Sequence, residues 1–303
     1  MFTKLPIVTW LRADWREWLH ADMVAGLAGA AVAIPKALAY AVITVAAFFA
    51  IRAVPALAQD AQELARAAKN PLANLISVSI FYDASFAGGL ESKTEHVLTL
   101  QPVIPFAVSS DWSLITRTIM PLIAQPGQAA GEGWTSGLGD IQVSAFLSPA
   151  RAERLVWGVG PVLQIPSATN SALGQGKWGA GPTAAAEWFG EQWTFGALIN
   201  NTFSFAGSGS RPAVNQMELQ PLVNYNFADN PGRYLSFSPI VTANWKANGS
   251  DRWTVPLSLG IGQLVKFGNQ PILLQATAYY NVVKPADAAK WTMELTVQFL
   301  FPQ

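Results

Sequence analysis

The sequence predicts an all-β fold, a transmembrane antiparallel β-barrel of about 12 strands, preceded by an N-terminal hydrophobic helix and a short periplasmic helix. Three observations predict this fold. From residue 74 onward, apolar and polar residues alternate with a period of two, the spacing of a β-strand. The connections between these segments are alternately short and long, and aromatic residues recur at the segment ends.

The composition argues against several other classes. Only 13% of the 303 residues are charged and the formal net charge is zero, so nothing indicates a nucleic-acid partner. After about residue 55, no segment approaches the roughly 18 consecutive apolar residues that a membrane-spanning helix needs. The chain has no cysteine, which fits an oxidising compartment but is weak evidence by itself.

The segment before the barrel divides into three parts. Residues 23–51 are apolar apart from Lys36, and residues 41–58 are typical of a secretory signal, because they end in the small-residue pattern Val54-Pro55-Ala56-Leu57-Ala58. Residues 59–73 are predicted to be a short helix and linker, because good helix formers precede Pro71. The barrel domain is predicted over residues 74–303.

A further motif lies upstream of the signal-like segment. The sequence Trp15-Arg16-Glu17-Trp18-Leu19, with 22–27 (DMVAGL) and 33–41 (AIPKALAYA), resembles the entry to the first membrane helix of the sulfate permease family, over residues 3–43. A permease needs many more helices, so no permease activity is implied. Residues 1–43 are interpreted as a fusion, a misassigned start codon or an assembly join. The alternatives are a retained inner-membrane anchor and part of an ordinary long signal.

The alternation is clearest in residues 216–227, where Gln216 and Glu218 face one way and Met217 and Leu219 the other. Residues 234–245, 272–281 and 291–301 repeat the pattern. A soluble β-sandwich alternates in the same way. The segments, however, extend over about 10 to 13 residues, which suits a tilted strand that crosses a membrane better than a common globular strand.

Prolines inside the predicted strands need a separate explanation, because proline cannot donate a hydrogen bond to the ladder. They indicate bulges or bends, and the alternative is that these strands are broken. The residues concerned are Pro102, Pro105, Pro161, Pro182, Pro221, Pro239 and Pro256.

The predicted connections are asymmetric. Short turns are expected at 109–111, 148–153, 189–192, 228–232 and 267–270, and longer loops at 84–95, 124–137, 166–176, 204–213 and 285–289. Within the longer loops, the glycine- and serine-rich residues 207–211 are expected to be flexible, either as a constriction or simply exposed. In bacterial outer membranes, barrels have short periplasmic turns and longer external loops. The pattern therefore predicts that both termini are periplasmic.

Aromatic side chains are predicted to form two girdles at the membrane interfaces, where a ring can be apolar while its N–H stays hydrated. The girdle residues are Trp112, Trp157, Trp188 and Trp193, with Tyr234, at the short-turn rim, and Trp178, Trp245, Trp253 and Trp291 at the opposite rim.

Polar residues that share one strand face are predicted to line the lumen, because a charge facing lipid near the midplane costs roughly 2 to 4 kcal/mol. Two roles are open for the charged ones, an ion-paired network that stiffens a narrow barrel or a lining that sets the charge of the permeant. The candidates are Arg117, Asp140, Glu187, Glu218, Gln220, Asn224, Asn226, Gln275, Glu294 and Gln298.

Several short motifs lie along the barrel segment of the chain. They are Leu100-Gln101-Pro102-Val103-Ile104-Pro105-Phe106, 111–118 (DWSLITRT), 137–141 (GLGDI), 157–161 (WGVGP), 176–178 (GKW), 181–183 (GPT), 215–216 (NQ), 220–221 (QP), 223–226 (VNYN), 252–256 (RWTVP) and 297–302 (VQFLFP). Together these motifs resemble a family of proteobacterial outer-membrane proteins over residues 60–303. These proteins are often mislabelled neuromedin U and are similar to the phenol meta-pathway outer-membrane transporter group. The resemblance implies a barrel and a transport role without a settled substrate.

The sequence offers little catalytic chemistry. The chain has two histidines, and His20 lies in the permease-like segment, so a hydrolase would depend on His96 alone. No His/Cys cluster predicts a metal site, and no cofactor is predicted. The expected function is passive passage of small polar or aromatic molecules, and the alternative is a structural or adhesion barrel with a plugged lumen. The expected partners are outer-membrane lipid and the barrel-assembly machinery.

Overall fold

The computed structural model describes residues 58–86, 94–127, 133–151, 154–268 and 270–302. The permease-like fragment, residues 1–43, lies outside the described residues. So does the signal-like segment, residues 41–58, apart from Ala58 itself.

A single α-helix, α1, spans Ala58–Lys69 in the described part of the chain. Its residues are mostly strong helix formers, and Pro71 follows where the helix has ended. The backbone N–H of Leu72 donates to the Asn70 side-chain oxygen at 2.8 Å, which tightens the exit from the helix. No helix in the described ranges is long and apolar enough to cross a membrane.

The remaining structure is almost entirely strand, with a short 3-10 helix at Gly249–Arg252. Two strands of the wall are interrupted: β4 and β5 both pair with β3, and β10 and β11 both pair with β9 and β12. The described segments therefore form a wall of 12 strands, as the sequence predicts. The segments are β1 (Ile76–Phe86), β2 (Glu95–Ala107), β3 (Trp112–Gln125), β4 (Thr135–Leu138), β5 (Ile141–Pro149), β6 (Leu155–Ile165), β7 (Lys177–Phe189), β8 (Trp193–Gly207), β9 (Asn215–Asn226), β10 (Arg233–Phe237), β11 (Val241–Asn244), β12 (Trp253–Phe267), β13 (Gln270–Val283) and β14 (Trp291–Phe301).

The sheet closes on itself. Strand β1 pairs antiparallel with β2 on one side and with β14 on the other. The β1–β14 ladder runs from Ile76 opposite Phe301 to Phe86 opposite Trp291, so the first and last strands are joined along their whole length. Closure matters because an unpaired strand edge in hydrocarbon would leave backbone groups without partners.

The two faces of the wall differ in chemistry. Phe205 and Leu259 are 66% and 65% exposed on the outer face, whereas Ser144 and Thr277 are buried on the inner face. Register confirms the alternation, because inner residues such as Arg117 and Ser144 stand directly opposite one another across the β3–β5 ladder. The alternation of the sequence therefore produces an apolar exterior and a mostly polar interior.

The connections are asymmetric, as predicted. The described turns 108–111, 190–192 and 227–232 are short, while 166–176, 208–214, 245–252 and 284–290 at the opposite end are longer. Helix α1 and the C-terminal end of β14 lie at the short-turn end. Which end is periplasmic stays a prediction.

The prolines are accommodated in two ways. Pro239 lies in the break between β10 and β11, and the β12–β13 register shifts between Val255 and Pro256. Pro161 and Pro182 instead stand opposite each other within continuous β6 and β7. The prediction of bulges or bends therefore holds at some of the seven prolines, while others fit a continuous ladder.

Helix α1 does not lie outside the barrel but packs inside its short-turn end. Ala65 is 1% exposed and contacts a cluster made of inward wall residues, which are Tyr234, Leu264, Leu273 and Leu300. The Gln298 side-chain amide donates to the backbone oxygen of Ala68 at 3.0 Å. A second apolar cluster contains Leu72, Val103, Ile115, Phe146, Ala185 and Leu198.

Candidate transport lumen

Two cavities lie inside the barrel. The outer one, towards the longer loops, has a volume of about 280 Å³ and a lining rich in glutamine. Its polar lining consists of Arg117, Asp140, Gln142, Gln164, Gln175, Thr202, Gln216, Glu218 and Gln220. This lining offers neutral donors and acceptors with three charged groups.

The inner cavity, of about 160 Å³, lies against the end of α1. Its lining includes Lys69 and Asn70 together with the predicted lumen residues Asn224, Gln275 and Gln298. Arg117, Leu198 and Gln220 line both cavities. These three residues therefore mark the junction between the outer and inner parts of the lumen.

The predicted charged residues are not joined in ion pairs by their described hydrogen bonds. Glu218 accepts a hydrogen bond from the Asn200 side-chain amide at 3.0 Å, and Glu294 accepts one from the Thr296 hydroxyl at 3.2 Å. Neutral partners thus hold both carboxylates.

Asp140 lines the outer cavity but also anchors the loop 166–176. Its carboxylate accepts hydrogen bonds from the backbone N–H groups of Gln175 at 2.6 Å and Ala168 at 3.2 Å. The Gln164 side-chain amide approaches the same carboxylate at 3.5 Å. Asp140 therefore fixes a loop over the long-loop end of the lumen.

The loop 207–211, expected to be a constriction or simply exposed, has a contact that the sequence did not predict. The Arg211 guanidinium donates to the backbone oxygens of Ser171, Gly174 and Gln175. Gly176, at the end of the loop 166–176, has a positive φ of 66°, which favours glycine. Arg211 and Asp140 together hold the loop 166–176 from two sides.

An acidic residue that sequence reasoning missed lies beside a predicted one. Asp83 on β1 stands directly opposite Glu294 on β14, at the seam where the barrel closes. The alternation Ser77, Ser79, Asp83 was the available signal, but Phe81 on the same face obscured it.

At the short-turn end, the predicted residues Glu187, Asn224 and Asn226 lie close to α1. The Lys69 ammonium donates to the Asn226 side-chain oxygen at 3.3 Å and lies 3.6 Å from the centre of the Tyr234 ring. Glu187 is 1% exposed. Lys69 could not be placed from sequence, because its position depends on the docking of α1.

The prediction that Tyr234 belongs to the short-turn girdle is wrong. Its ring is fully buried in the lumen, and its hydroxyl donates to the Gln275 side-chain oxygen at 2.7 Å. Gly262 on neighbouring β12 leaves space for this ring, since an added Cβ would overlap it. Tyr234 shares the inner face of β10 with Ser236, and the missing side chain at Gly262 allows an aromatic ring at this position.

The tryptophans predicted for the girdles lie at strand ends. At the short-turn end, the Trp112 and Trp157 rings pack edge to face, with their centroids 6.1 Å apart. The rings of Trp188 and Trp193 both stack on the Phe195 ring. At the opposite end Trp245 and Trp253 meet edge to face. Trp178 and Trp291 at that end are 38% and 48% exposed. Their role at the membrane interface stays a prediction.

His96 has a setting unlike that of a hydrolase base. Its Nδ1 is 2.8 Å from the Tyr82 hydroxyl, and its ring stacks between those of Tyr82 and Trp134. His96 stands opposite Ala84 in the β1–β2 ladder, on the outward face. The histidine that the hydrolase alternative requires therefore bonds a tyrosine and faces away from the lumen.

The architecture is that of a membrane-spanning type of β-barrel: a closed antiparallel wall, an apolar exterior and an interior with polar cavities. A family described as "Putative MetA-pathway of phenol degradation" matches residues 92–230. No curated protein matches the chain in sequence.

One solved structure shares the fold, and two others have lower structural similarity. An outer membrane channel from Pseudomonas putida F1 is 18% identical, with a TM-score of 0.57 over 75% of this chain and 96% of that chain. The NanC porin is 10% identical, with a TM-score of 0.49 over 75% of this chain and 100% of that one. The outer membrane phospholipase A of Escherichia coli is 11% identical, with a TM-score of 0.40 over 75% and 92%.

Proposed function

We propose that this protein is a passive channel of the bacterial outer membrane that admits small polar solutes, and that it is a member of the phenol meta-pathway outer-membrane transporter group. The pair of polar cavities inside one closed barrel carries this proposal. Both termini are proposed to be periplasmic, because the short turns lie at their end of the barrel.

The cavities support a continuous route. Arg117, Leu198 and Gln220 line both of them, so a solute leaving the outer cavity meets the inner one without crossing another layer of the wall. Glutamine amides dominate the outer lining, and each offers both donors and an acceptor. A lining of this kind replaces part of the hydration of a polar solute.

The alternative of a structural barrel with a plugged lumen is favoured by one observation. Helix α1 and Leu72 occupy the short-turn end, where Ala65, Leu72 and Leu300 are almost fully buried. In the channel proposal, α1 closes this end at rest and leaves it when solutes pass. In the structural alternative, α1 never leaves.

Swelling of proteoliposomes in an uncharged solute such as arabinose separates the two functions. We expect the full chain to accelerate swelling over protein-free liposomes, and Gln220→Trp to slow it, because the larger ring would occupy the junction of the cavities. Met217→Trp on the outward face of the same strand is the matched control and should leave the rate unchanged. Folding is checked by heat-modifiable migration. A folded barrel that swells no faster than empty liposomes would favour the structural alternative.

A further inference from the structure

The short-turn end of the lumen contains a carboxylate without a partner. Glu187 on β7 is 1% exposed, and neither of its oxygens accepts a hydrogen bond from the described residues. Burying an unpaired carboxylate is costly, by several kcal/mol in typical proteins. A buried carboxyl of this kind is either protonated or has its charge offset by another group or a bound molecule.

Two further unpartnered oxygens lie on the adjoining strands. Thr194 on β8 and Asn224 on β9 stand directly opposite each other and are 2% and 3% exposed. The Thr194 hydroxyl and the Asn224 side-chain oxygen have no hydrogen-bond partner among the described residues. Both point inward from the same end of the barrel as Glu187.

Gly196 brings the carboxylate towards these oxygens. It stands opposite Glu187 in the β7–β8 ladder, and a Cβ added there would lie 3.0 Å from the Glu187 Cγ. The glutamate side chain therefore lies over bare backbone of β8, the strand that also supplies Thr194. The result is a buried patch of oxygen lone pairs, which is suited to a cation rather than to an anion.

The patch faces a cation that the chain itself supplies. The Lys69 ammonium lies over the Tyr234 ring and donates to Asn226, which is two residues from Asn224 on the same strand. Burial lowers the pKa of Lys69 to about 7, with Glu187 opposing and Arg66 adding to that effect. An aromatic face, an amide oxygen and a nearby carboxylate are the groups that bind organic ammonium ions.

We infer that Glu187, Thr194 and Asn224 form a subsite for the ammonium group of a permeating solute, and that Lys69 on α1 is its built-in competitor. This inference rests on the proposed channel function and names a substrate class for it, small organic ammonium compounds. Lys69 and Asn224 line the inner cavity, whereas Glu187 and Thr194 are buried behind it, so such a group reaches the patch from this cavity when Lys69 moves aside. An ammonium that reaches Glu187 takes the position beside the patch that Lys69 holds when α1 is docked, and thereby competes with docking of α1.

The test is the effect of ethylammonium chloride on single-channel current of the full chain, at constant ionic strength with sodium chloride as the comparison salt. We expect a saturable change in current with ethylammonium. Glu187→Gln should raise the half-saturating concentration by about tenfold or more, because it removes a charge-assisted contact. Glu191→Gln, an exposed glutamate in the adjacent turn, is the matched control and should behave like the native chain.

A substitution at Lys69 distinguishes competition for the subsite from a purely structural role of this lysine. Lys69→Met should lower the half-saturating concentration severalfold, since the built-in ammonium is gone, whereas a purely structural lysine would not affect it. If Glu187→Gln fails to give a heat-modifiable barrel, Thr194→Val tests the same patch and should weaken the response to ethylammonium. An unchanged half-saturating concentration in the folded patch variant, or a rise in Lys69→Met, would overturn the inference. Native current without any response to ethylammonium would refute this subsite alone, while absence of all current would refute the channel function.

Discussion

Helix α1 is held in the lumen by contacts whose sum is small enough for one substitution to reverse. Its apolar side presents Leu64, Ala65, Ala67 and Ala68 to the wall cluster. At about 0.8 kcal/mol per buried carbon group, the seven side-chain carbon groups of these residues would contribute about 6 kcal/mol if fully buried. Because Leu64, Ala67 and Ala68 are only partly buried, their actual contribution is about 4 kcal/mol. The hydrogen bond from Gln298 to the Ala68 backbone oxygen adds about 1 kcal/mol, and ordering of the helix offsets part of the total.

Ala65→Asp should undock the helix. The substitution removes one buried methyl group and places a carboxylate among Tyr234, Leu264, Leu273 and Leu300 at a cost of about 3 kcal/mol or more. Since each 1.4 kcal/mol is a factor of ten, the undocked fraction should rise by about a hundredfold. An isolated helix of this length is marginal in water, so the undocked segment would unfold.

Hydrogen–deuterium exchange measures this change directly. The α1 amides of Ala65→Asp should exchange about a hundredfold faster than those of the native chain, while the amides of β1 and β14 keep their protection. Glu63→Gln, at an exposed position of the same helix, should exchange like the native protein. Native-like protection of α1 in a folded Ala65→Asp barrel would show that the apolar contacts do not hold the helix in place.

Three further outcomes are expected. Lys69 has a lowered pKa of about 7 when docked and an ordinary pKa near 10.5 when released, so the released state binds more protons between these values. Raising the pH through this window should therefore tighten docking and lower the open-channel fraction by up to about tenfold per pH unit. This slope should vanish in Lys69→Met. Gly160→Ala should abolish the heat-modifiable band, since the added Cβ would overlap the Ala145 carbonyl, whereas Gly209→Ala, with open space around it, should fold normally. Asp140→Asn should release the loop 166–176 by about 1 to 3 kcal/mol and speed its limited proteolysis, whereas Asp229→Asn in an exposed turn should not.

The sequence predicts the wall better than the lumen because the wall follows from local patterns. Alternation in β9 and β14 assigns Glu218 and Glu294 to the inner face from neighbouring residues alone. Alternation with Ser236 assigns Tyr234 to the inner face of β10, but the space for so large a ring depends on Gly262 of another strand. Composition likewise predicts α1 as a helix, but its docking depends on wall residues as distant as Leu264 and Leu300.

The roles of the predicted charged residues depend even more on distant contacts. Asp140 has the spacing of an inner-face residue, yet its main hydrogen bonds go to a loop some thirty residues downstream. Glu187 has the same kind of spacing and no hydrogen-bond partner among the described residues. Two carboxyl groups that look equivalent in sequence therefore differ, because Asp140 accepts hydrogen bonds from backbone N–H groups whereas Glu187 lies beside other unpartnered oxygens near α1.

Single-channel recording of the purified full chain in a planar bilayer tests the central claim, that the lumen is a route for solutes that α1 closes at one end. For protein that migrates as a folded, heat-modifiable barrel, we expect discrete current steps in potassium chloride that become more frequent or larger in Ala65→Asp. Folded native and Ala65→Asp proteins that both give no current would contradict it.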